Sequence, residues 1–133
     1  MVPLVFLGVD VGATKSHALV ADESGRAICF GRGGPGNPFS IGYGGFAELL
    51  RAITQEAMET AQISQHEIAG AGFGVGGYVW PSQREPILQA IKTLGLSAPV
   101  EIVNDAIIAL LAGASAGWGV AVIAGTSCNC WGW

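Results

Sequence analysis

Charge is the scarcest feature of this 133-residue sequence, because Asp, Glu, Lys and Arg together make up only 12% of it. That share is about half of the usual one. The six Lys and Arg residues are scattered and form no basic stripe, and the net charge is −4. A nucleic-acid partner is therefore not expected. With so little polar material to cover a folded domain, part of the apolar surface is expected to lie against another domain or another copy of the chain, as in a homo-oligomer.

Cysteine is also rare, and the chain has three: Cys29, Cys128 and Cys130. A Cys-x-Cys pair alone is not a zinc site, and such thiols are typical of a reducing cytoplasm. The apolar segment 1–9 lacks the positive residues of a secretory signal and is interrupted by Asp10. The segment 106–133 is uncharged, but glycines interrupt it too often for a membrane span. We therefore expect a cytoplasmic protein without a membrane partner, and a helix, a turn and a buried strand in segment 106–133.

Periodicity predicts an α/β domain. The stretch 31–45 contains seven glycines and two prolines, which indicates an irregular loop. The regular elements are strands at 4–11, 17–22 and 27–31, a helix at 46–61, a strand at 68–75, a helix at 82–95, a strand at 100–103, a helix at 106–114 and a strand at 119–124. This βββαβαβα order is that of the ribonuclease-H-like fold, the unit of actin-like ATPases, in which helices flank a mixed sheet.

The first chemical motif is the sequence Gly-Val-Asp-Val-Gly-Ala-Thr-Lys-Ser at 8–16. A strand there delivers Asp10 and then a tight turn, in which backbone N–H groups can hold an anionic phosphate. Thr14 and Ser16 add hydroxyl groups, and Lys15 adds a positive charge. Asp10 is suited to a hydrated magnesium ion, which takes few protein ligands. An ordinary β-hairpin remains an open alternative, and the motif is not a Walker loop.

Two further motifs follow strands. Asn104 and Asp105 stand where a strand ends and a helix begins, where ligands of α/β sheets gather. A carboxylate there can accept the proton of an attacking hydroxyl, although capping of the helix explains the pair as well. The third motif, Gly-Thr-Ser-Cys-Asn-Cys at 125–130, follows an apolar strand and offers backbone donors beside two hydroxyls. This motif is suited to a second contact with phosphate. A polar hairpin without a ligand is the alternative interpretation.

Together, these motifs resemble those of the BadF/BadG/BcrA/BcrD-type ATPase family, which includes N-acetylglucosamine kinases and belongs to the actin/hexokinase/Hsp70 superfamily. The resemblance runs from about Leu7 to Trp133. It implies an ATP- and magnesium-dependent kinase for an amino sugar, with Asp105 as the catalytic base and Asp10 near the metal. The implied phosphate-binding residues are Gly12, Ala13, Thr14, Lys15, Gly125, Thr126 and Ser127. The implied substrate-binding residues are Asn37, Gly76, Gly77, Asn104 and Asn129, and Thr126 matches a sugar-side position as well.

Two positions depart from the family pattern. Ser127 stands where a glycine is usual and Cys128 where a serine is usual, so nucleotide contacts follow from the resemblance more firmly than the sugar's identity does. Kinases of this family close two domains over ATP, and the second carries the adenine pocket. We expect residues 1–133 to be the N-terminal ribonuclease-H-like domain, without the C-terminal adenine-binding domain that would be its partner.

Two other functions are compatible with the sequence. The first is an activator ATPase of the same family, which couples ATP hydrolysis to an iron–sulfur reductase or dehydratase. Such a cluster needs protein cysteines, and Cys128 and Cys130 fall inside the expected phosphate loop. The second is a non-catalytic module that senses a sugar or a nucleotide. Asp105 argues against it, because a sensor needs no base.

Overall fold

The chain folds around a five-stranded mixed sheet, and the computed structural model describes residues 2–126 and 128–133. The strands of the main sheet are β1 (Val5–Val11), β2 (Ser16–Asp22), β3 (Ala27–Gly33), β4 (Ile68–Val75) and β5 (Val100–Asn104). The helices are α1 (Pro38–Ala61), α2 (Arg84–Lys92) and α3 (Asp105–Gly113), and β6 (Val120–Ala124) and β7 (Cys128–Gly132) end the chain. The expected βββαβαβα order is confirmed.

The strand order of the main sheet is β3-β2-β1-β4-β5. Strands β1, β2 and β3 form an antiparallel meander, whereas β4 and β5 run parallel to β1. The carboxyl ends of β1, β4 and β5 therefore meet at one edge of the sheet. This arrangement is the α/β architecture that the order of elements predicts.

The core lies between the sheet and the helices α1 and α2. In β1, alternate residues such as Leu7 and Val9 are buried, while Phe6 and Gly8 point to the other face. Helix α1 buries Phe46, among others, in the same cluster. Helix α3 packs on the opposite face of the sheet, across β4 and β5. Helices therefore pack on both faces of the parallel part, although the α3 face is only partly covered.

The glycine-rich stretch 31–45 is not wholly irregular, so the prediction of a loop there was wrong at 31–33, which end β3, and from residue 38 on, which belongs to α1. Asn37 caps α1 with its side chain, and Pro38 opens the first turn, where its missing N–H costs nothing. Gly42 then breaks the helix, with φ of 73° and ψ of 161°. Glycine content alone hid a short capped helix that joins the long amphipathic one.

The strand predicted at 119–124 is present as β6, but the prediction that it is buried was wrong. Strands β6 and β7 pair with each other in a two-stranded sheet separate from the main one. Val120 and Val122 are 67% and 69% exposed, so one face of this hairpin faces solvent. Helix α3 supports its other face. In the part of the chain that the structure describes, no helix is both long enough and apolar enough to cross a membrane.

Candidate functional site

The register of the parallel strands brings the motifs together. Val11 of β1 pairs with Val75 of β4, which pairs in turn with Asn104 of β5. The residues that follow, Gly12, Gly76 and Asp105, therefore leave the sheet side by side at the edge where α/β proteins bind ligands. Gly76 N–H donates to the carbonyl of Val11 at 2.7 Å, which joins the first two turns.

The first motif forms a tight turn between β1 and β2. Gly12 N–H donates to the carbonyl of Lys15 at 3.0 Å, and a Cβ on Gly12 would lie 2.8 Å from that oxygen. Glycine is therefore required there, because a side chain would force the turn open. Ala13, Thr14 and Lys15 are exposed at its tip. The hairpin and the phosphate-loop interpretations are compatible, since the turn is a hairpin with polar groups at the sheet edge.

The predicted role of Ser16 in this loop is wrong. Ser16 is fully buried, and its hydroxyl donates to the carbonyl of Gly34 at 3.0 Å. The bond ties the long loop to the start of β2, and Gly36 N–H donates to the carbonyl of Gly12 at 3.0 Å. A Cβ on Gly36 would overlap Val11 and Ser16. The sequence motif placed a hydroxyl near the turn but could not show which way it points.

The hydrogen bonds of Gly34 and Gly36 hold the loop that places Asn37 at the site. The Asn37 oxygen Oδ1 accepts from Phe39 N–H at 2.9 Å, so this side chain caps α1. It also lies against Gly77, where a Cβ would be 2.8 Å from Oδ1. Gly77 has φ of +85°, a conformation that glycine adopts without strain. Gly76 lies close to the candidate base, because a Cβ there would be 3.4 Å from Asp105 Oδ2.

Asn104 and Asp105 form the junction of β5 and α3. Asn104 is buried, and its Oδ1 accepts from Ala106 N–H at 2.9 Å, so it is the N-cap of α3. Asp105 is the first helical residue and is half-buried. Asn104 is thus the N-cap of α3, and Oδ2 of Asp105 lies beside Gly76. Asp105 Oδ1 also accepts from Ala106 N–H, at 3.1 Å, and the role of Asp105 as the base stays a prediction.

The hairpin of β6 and β7 closes the site from the other side. Gly125 and Thr126 form its turn, while Ser127, a predicted phosphate-binding residue, lies outside the described residues. Asn129 of β7 donates from Nδ2 to Asn104 Oδ1 at 3.1 Å. This bond links the separate hairpin to the main sheet. The sequence predicted both asparagines near substrate but not that they bind each other.

Two adjoining cavities contain almost all predicted site residues. The first has a volume of about 190 Å³ and is lined by Asp10, Gly12, Ala13, Thr14, Lys15, Asp105, Ala109, Ile123 and Thr126. The second, of about 280 Å³, is lined by Ala13, Asn37, Gly76, Gly77, Val79, Asn104, Asp105, Ile123, Cys128 and Asn129. Both include Ala13, Asp105 and Ile123. Gly125 belongs to the hairpin turn but lines neither cavity.

The electrostatics of the two carboxylates fit a site for proton transfer. Partial burial raises the pKa of Asp105, and hydrogen bonding to the Ala106 N–H opposes this shift. Desolvation also raises the pKa of Asp10, the negative charge of Asp105 adds to the effect, and His17 and Lys15 oppose it. His17 stands opposite Asp10 in the β1–β2 pairing. A cross-strand neighbour of this kind is not visible from sequence spacing alone.

The first cavity suits magnesium with phosphate. Residues 2–126 and 128–133 contain no cluster of three or more His, Cys, Asp or Glu side chains able to hold a metal ion. Magnesium commonly binds one or two carboxylates and completes its shell with water and phosphate oxygens. Asp10 and Asp105 supply such carboxylates on the wall of this cavity, and Thr14 and Thr126 line it as well. The donor set therefore fits the ion that the resemblance implies.

Sequence reasoning missed Ile123, Val79 and Ala109 as cavity residues. The alternation of β6 holds the only signal for Ile123, since its neighbours Val122 and Ala124 are exposed while Ile123 turns inward. Which face of a hairpin looks inward depends on what it packs against. That information is in the tertiary structure and not in the strand itself.

Comparisons with known proteins agree with this geometry. Residues 7–132 match the model of the BadF/BadG/BcrA/BcrD ATPase family. The chain is 27% identical over 126 residues to an N-acetylmuramic acid/N-acetylglucosamine kinase of Clostridium acetobutylicum. This match covers 95% of the chain and 41% of that kinase, so the chain spans less than half the length of this curated relative.

Solved structures share the fold. A protein of Porphyromonas gingivalis assigned as an N-acetylglucosamine kinase superposes with a TM-score of 0.78 at 22% identity, over 96% of this chain and 44% of its own. A ROK family glucokinase from Streptomyces griseus, in complex with glucose and AMPPNP, superposes with a TM-score of 0.71 at 23% identity, over 95% of this chain and 43% of its own. At these identities the likeness shows a shared fold alone.

Proposed function

Because this chain belongs to the BadF/BadG/BcrA/BcrD ATPase family, we propose that it forms the sugar- and phosphate-binding part of an ATP-dependent kinase for an amino sugar such as N-acetylglucosamine. One observation carries the proposal: two cavities meet at Asp105, one lined by the Gly12–Lys15 turn and Thr126, the other by Asn37, Gly77 and Asn129. Phosphoryl transfer needs such a junction, where an attacking hydroxyl meets a phosphate beside a base.

In this mechanism, the Gly12–Lys15 turn and the hairpin turn at 125–126 hold the phosphates of ATP in the smaller cavity. Backbone N–H groups and the Thr14 and Thr126 hydroxyls donate to phosphate oxygens, and Lys15 adds a positive charge. Magnesium, when bound beside Asp10, neutralises phosphate charge. Ser127 is proposed to contribute to the same loop. Each of these groups positions the nucleotide and reduces the electrostatic cost of transfer.

The sugar is proposed to occupy the larger cavity. Asn37 and Asn129 offer amide groups to its hydroxyls, and Gly76 and Gly77 leave room beside the acyl group. Asp105 accepts the proton of the attacking hydroxyl, O6 in a substrate such as N-acetylglucosamine. Its raised pKa makes the carboxylate a stronger base than an ordinary aspartate, which favours proton acceptance.

The curated relative supports a sugar kinase, since it is named for two amino sugars. The activator alternative gains less support. An iron–sulfur cluster needs several cysteines gathered at one place. Cys128 and Cys130 lie together on β7, where Cys128 lines the proposed sugar cavity, but Cys29 lies on β3 of the main sheet. We also propose that the whole protein has a further domain, which binds the adenine of ATP.

The test is an assay of the full-length protein with ATP and magnesium. N-acetylglucosamine, N-acetylmuramic acid and glucose are offered separately, and phosphorylated sugar is measured by mass spectrometry together with ADP release. We expect an amino sugar to be phosphorylated fastest. ADP release without any sugar phosphate would favour the activator ATPase. Sugar binding by calorimetry without turnover would favour the sensing module. Either result would refute the kinase proposal.

A further inference from the structure

Asn104 is a polar side chain of the site that makes three hydrogen bonds within the protein. It is only 2% exposed. Its Oδ1 accepts from Ala106 N–H at 2.9 Å and from Asn129 Nδ2 at 3.1 Å, and its Nδ2 donates to the Tyr78 carbonyl at 2.9 Å. An amide oxygen has two lone pairs and an amide nitrogen two N–H groups. Both lone pairs and one N–H are therefore committed to the protein, which leaves little for a substrate.

Each of the three bonds reaches a different wall of the proposed site. The bond from Ala106 fixes the start of α3 and thereby the backbone that carries Asp105. The bond to Tyr78 holds the end of the turn that contains Gly76 and Gly77, and Tyr78 N–H in turn donates to Val75. The bond from Asn129 reaches the β6–β7 hairpin, which forms a two-stranded sheet separate from the main sheet. One buried amide thus connects the base, the glycine turn and the hairpin.

We propose that Asn104 is a positioning residue, which holds Asp105 in register with the Gly76–Gly77 turn and the hairpin, in place of a direct contact with the sugar. The proposal rests on the kinase function proposed above. It deepens that function, because it names the side chain that makes the three walls of the site one unit. A buried group with satisfied partners on three elements resists displacement, since moving any element would leave polar atoms unpaired.

The test separates capping from connection with two substitutions in the full-length protein. Asn104→Ser keeps a good helix cap but is too short to reach both Tyr78 and Asn129. Asn104→Ala removes the cap as well. We expect both variants to unfold at a lower temperature than wild type, because both leave the buried partners of Asn104 unpaired, and Asn104→Ala to unfold several degrees below Asn104→Ser, because it also loses the cap. We expect both to lower kcat by about 10- to 100-fold, because small misplacements of catalytic groups cost that much.

Sugar affinity distinguishes positioning from contact. In a calorimetric titration, we expect the Kd of Asn104→Ser for sugar to stay within about threefold of wild type while kcat falls. The matched control is Gln89→Ser, which removes an amide from an exposed side chain of α2 and is expected to change neither value. A wild-type kcat in Asn104→Ser would overturn the proposal. So would a weakened sugar Kd with kcat unchanged.

A second measurement is independent of enzyme activity. Amide hydrogen exchange of the peptides covering 76–80 and 128–132 is compared between wild type and Asn104→Ser. We expect exchange in both peptides to become about threefold faster or more, because both lose the same anchor. Unchanged exchange in either peptide would overturn the proposal. If the wild-type protein phosphorylates no sugar, the kinase function fails on its own, and this measurement still decides whether Asn104 connects the three elements.

Discussion

At the scale of single residues, the site depends on two carboxylates whose surroundings disfavour their charged forms. Partial burial raises the pKa of both Asp10 and Asp105, and each lines the smaller cavity. The sequence predicted that both acids lie at ends of strands near phosphate. It could not predict their raised pKa, because that depends on which atoms surround each carboxylate in the folded chain.

The first prediction concerns Asp105 as the base. In the full-length protein, Asp105→Asn keeps the size of the side chain but cannot accept the proton. We expect kcat for sugar phosphorylation to fall by about 10²- to 10⁴-fold, the usual contribution of one positioned acid–base group. Sugar Kd, measured by calorimetry, should change far less. A kcat within about threefold of wild type would show that Asp105 is not the base.

The pH dependence of the proposed kinase follows from the same group. The base must be ionised, and its pKa is raised above the ordinary value of 3.8. Activity should therefore be full above the raised pKa and fall as the pH drops through it, so that the acid limb of the kcat profile lies at higher pH than an unperturbed aspartate would give. The residual activity of Asp105→Asn should lack this limb.

The second prediction concerns Asn37, which both caps α1 and lines the cavity proposed to hold the sugar. Asn37→Ala should lose about 0.5–2 kcal/mol of unfolding free energy with the cap and weaken sugar binding. Asn37→Asp keeps the capping oxygen but loses the amide donor. It should therefore retain stability and still bind sugar several-fold more weakly. ATP affinity should be nearly unchanged in both.

Calorimetry with sugar and ATP, together with urea unfolding, separates these two roles. Wild-type sugar affinity in Asn37→Asp and Asn37→Ala would remove Asn37 from the binding site and leave it as a helix cap only.

At the scale of elements, helix α3 both carries the proposed base and packs on the main sheet. Its first residue is Asp105, and its Ile108 lies over Gly74 of β4. The absence of a side chain at Gly74 lets the helix approach the sheet. Gly72, two residues earlier on the same face of β4, has nothing within 4 Å of where a Cβ would be. The two glycines therefore form a matched pair.

The third prediction uses this pair. Gly74→Ala would force its Cβ into Ile108, so we expect a loss of about 1–3 kcal/mol of unfolding free energy from overpacking. Gly72→Ala should stay within about 0.5 kcal/mol of wild type, since the added methyl group meets open space. Urea unfolding of the full-length protein measures both. Because Ile108 and Asp105 share a helix, Gly74→Ala should also lower kcat, whereas Gly72→Ala should not. Equal stabilities would contradict the close packing of α3 on β4.

The elements that the sequence predicted well are those with a strong period. Strand β4 was predicted at 68–75 and lies at Ile68–Val75, because small and apolar residues there fill a central strand. The start of α1 was missed, because its signal is one capping bond from Asn37 rather than a run of apolar residues. The hairpin of β6 and β7 was only half predicted. The apolar pattern predicted strand β6. Whether β6 pairs with β7 or with the main sheet depends on tertiary packing, which the pattern does not contain.

At the scale of the whole molecule, apolar surface remains uncovered in two places. On the α3 side of the sheet, Leu19, Phe30 and Ile108 border an open groove of about 590 Å³. On the hairpin, Val120 and Val122 are more than two-thirds exposed, and Trp118 and Trp133 are 71% and 57% exposed. This surface agrees with the scarcity of charge in the sequence, which left few polar side chains to cover the fold.

The last prediction concerns a chain of residues 1–133 studied alone. Exposed apolar patches of this kind usually find a partner, and a two-stranded hairpin offers unpaired strand edges. We expect this chain to self-associate in light scattering at high concentration, and to phosphorylate no sugar, because the proposed adenine pocket belongs to a further domain. The double variant Val120→Lys and Val122→Lys should reduce association, because it places charge on the exposed face of the hairpin. The control Gln55→Lys and Gln89→Lys adds the same charge on exposed positions of α1 and α2 and should not reduce it. A monomeric wild-type chain would refute the association, and sugar phosphorylation by this chain alone would refute the need for the further domain.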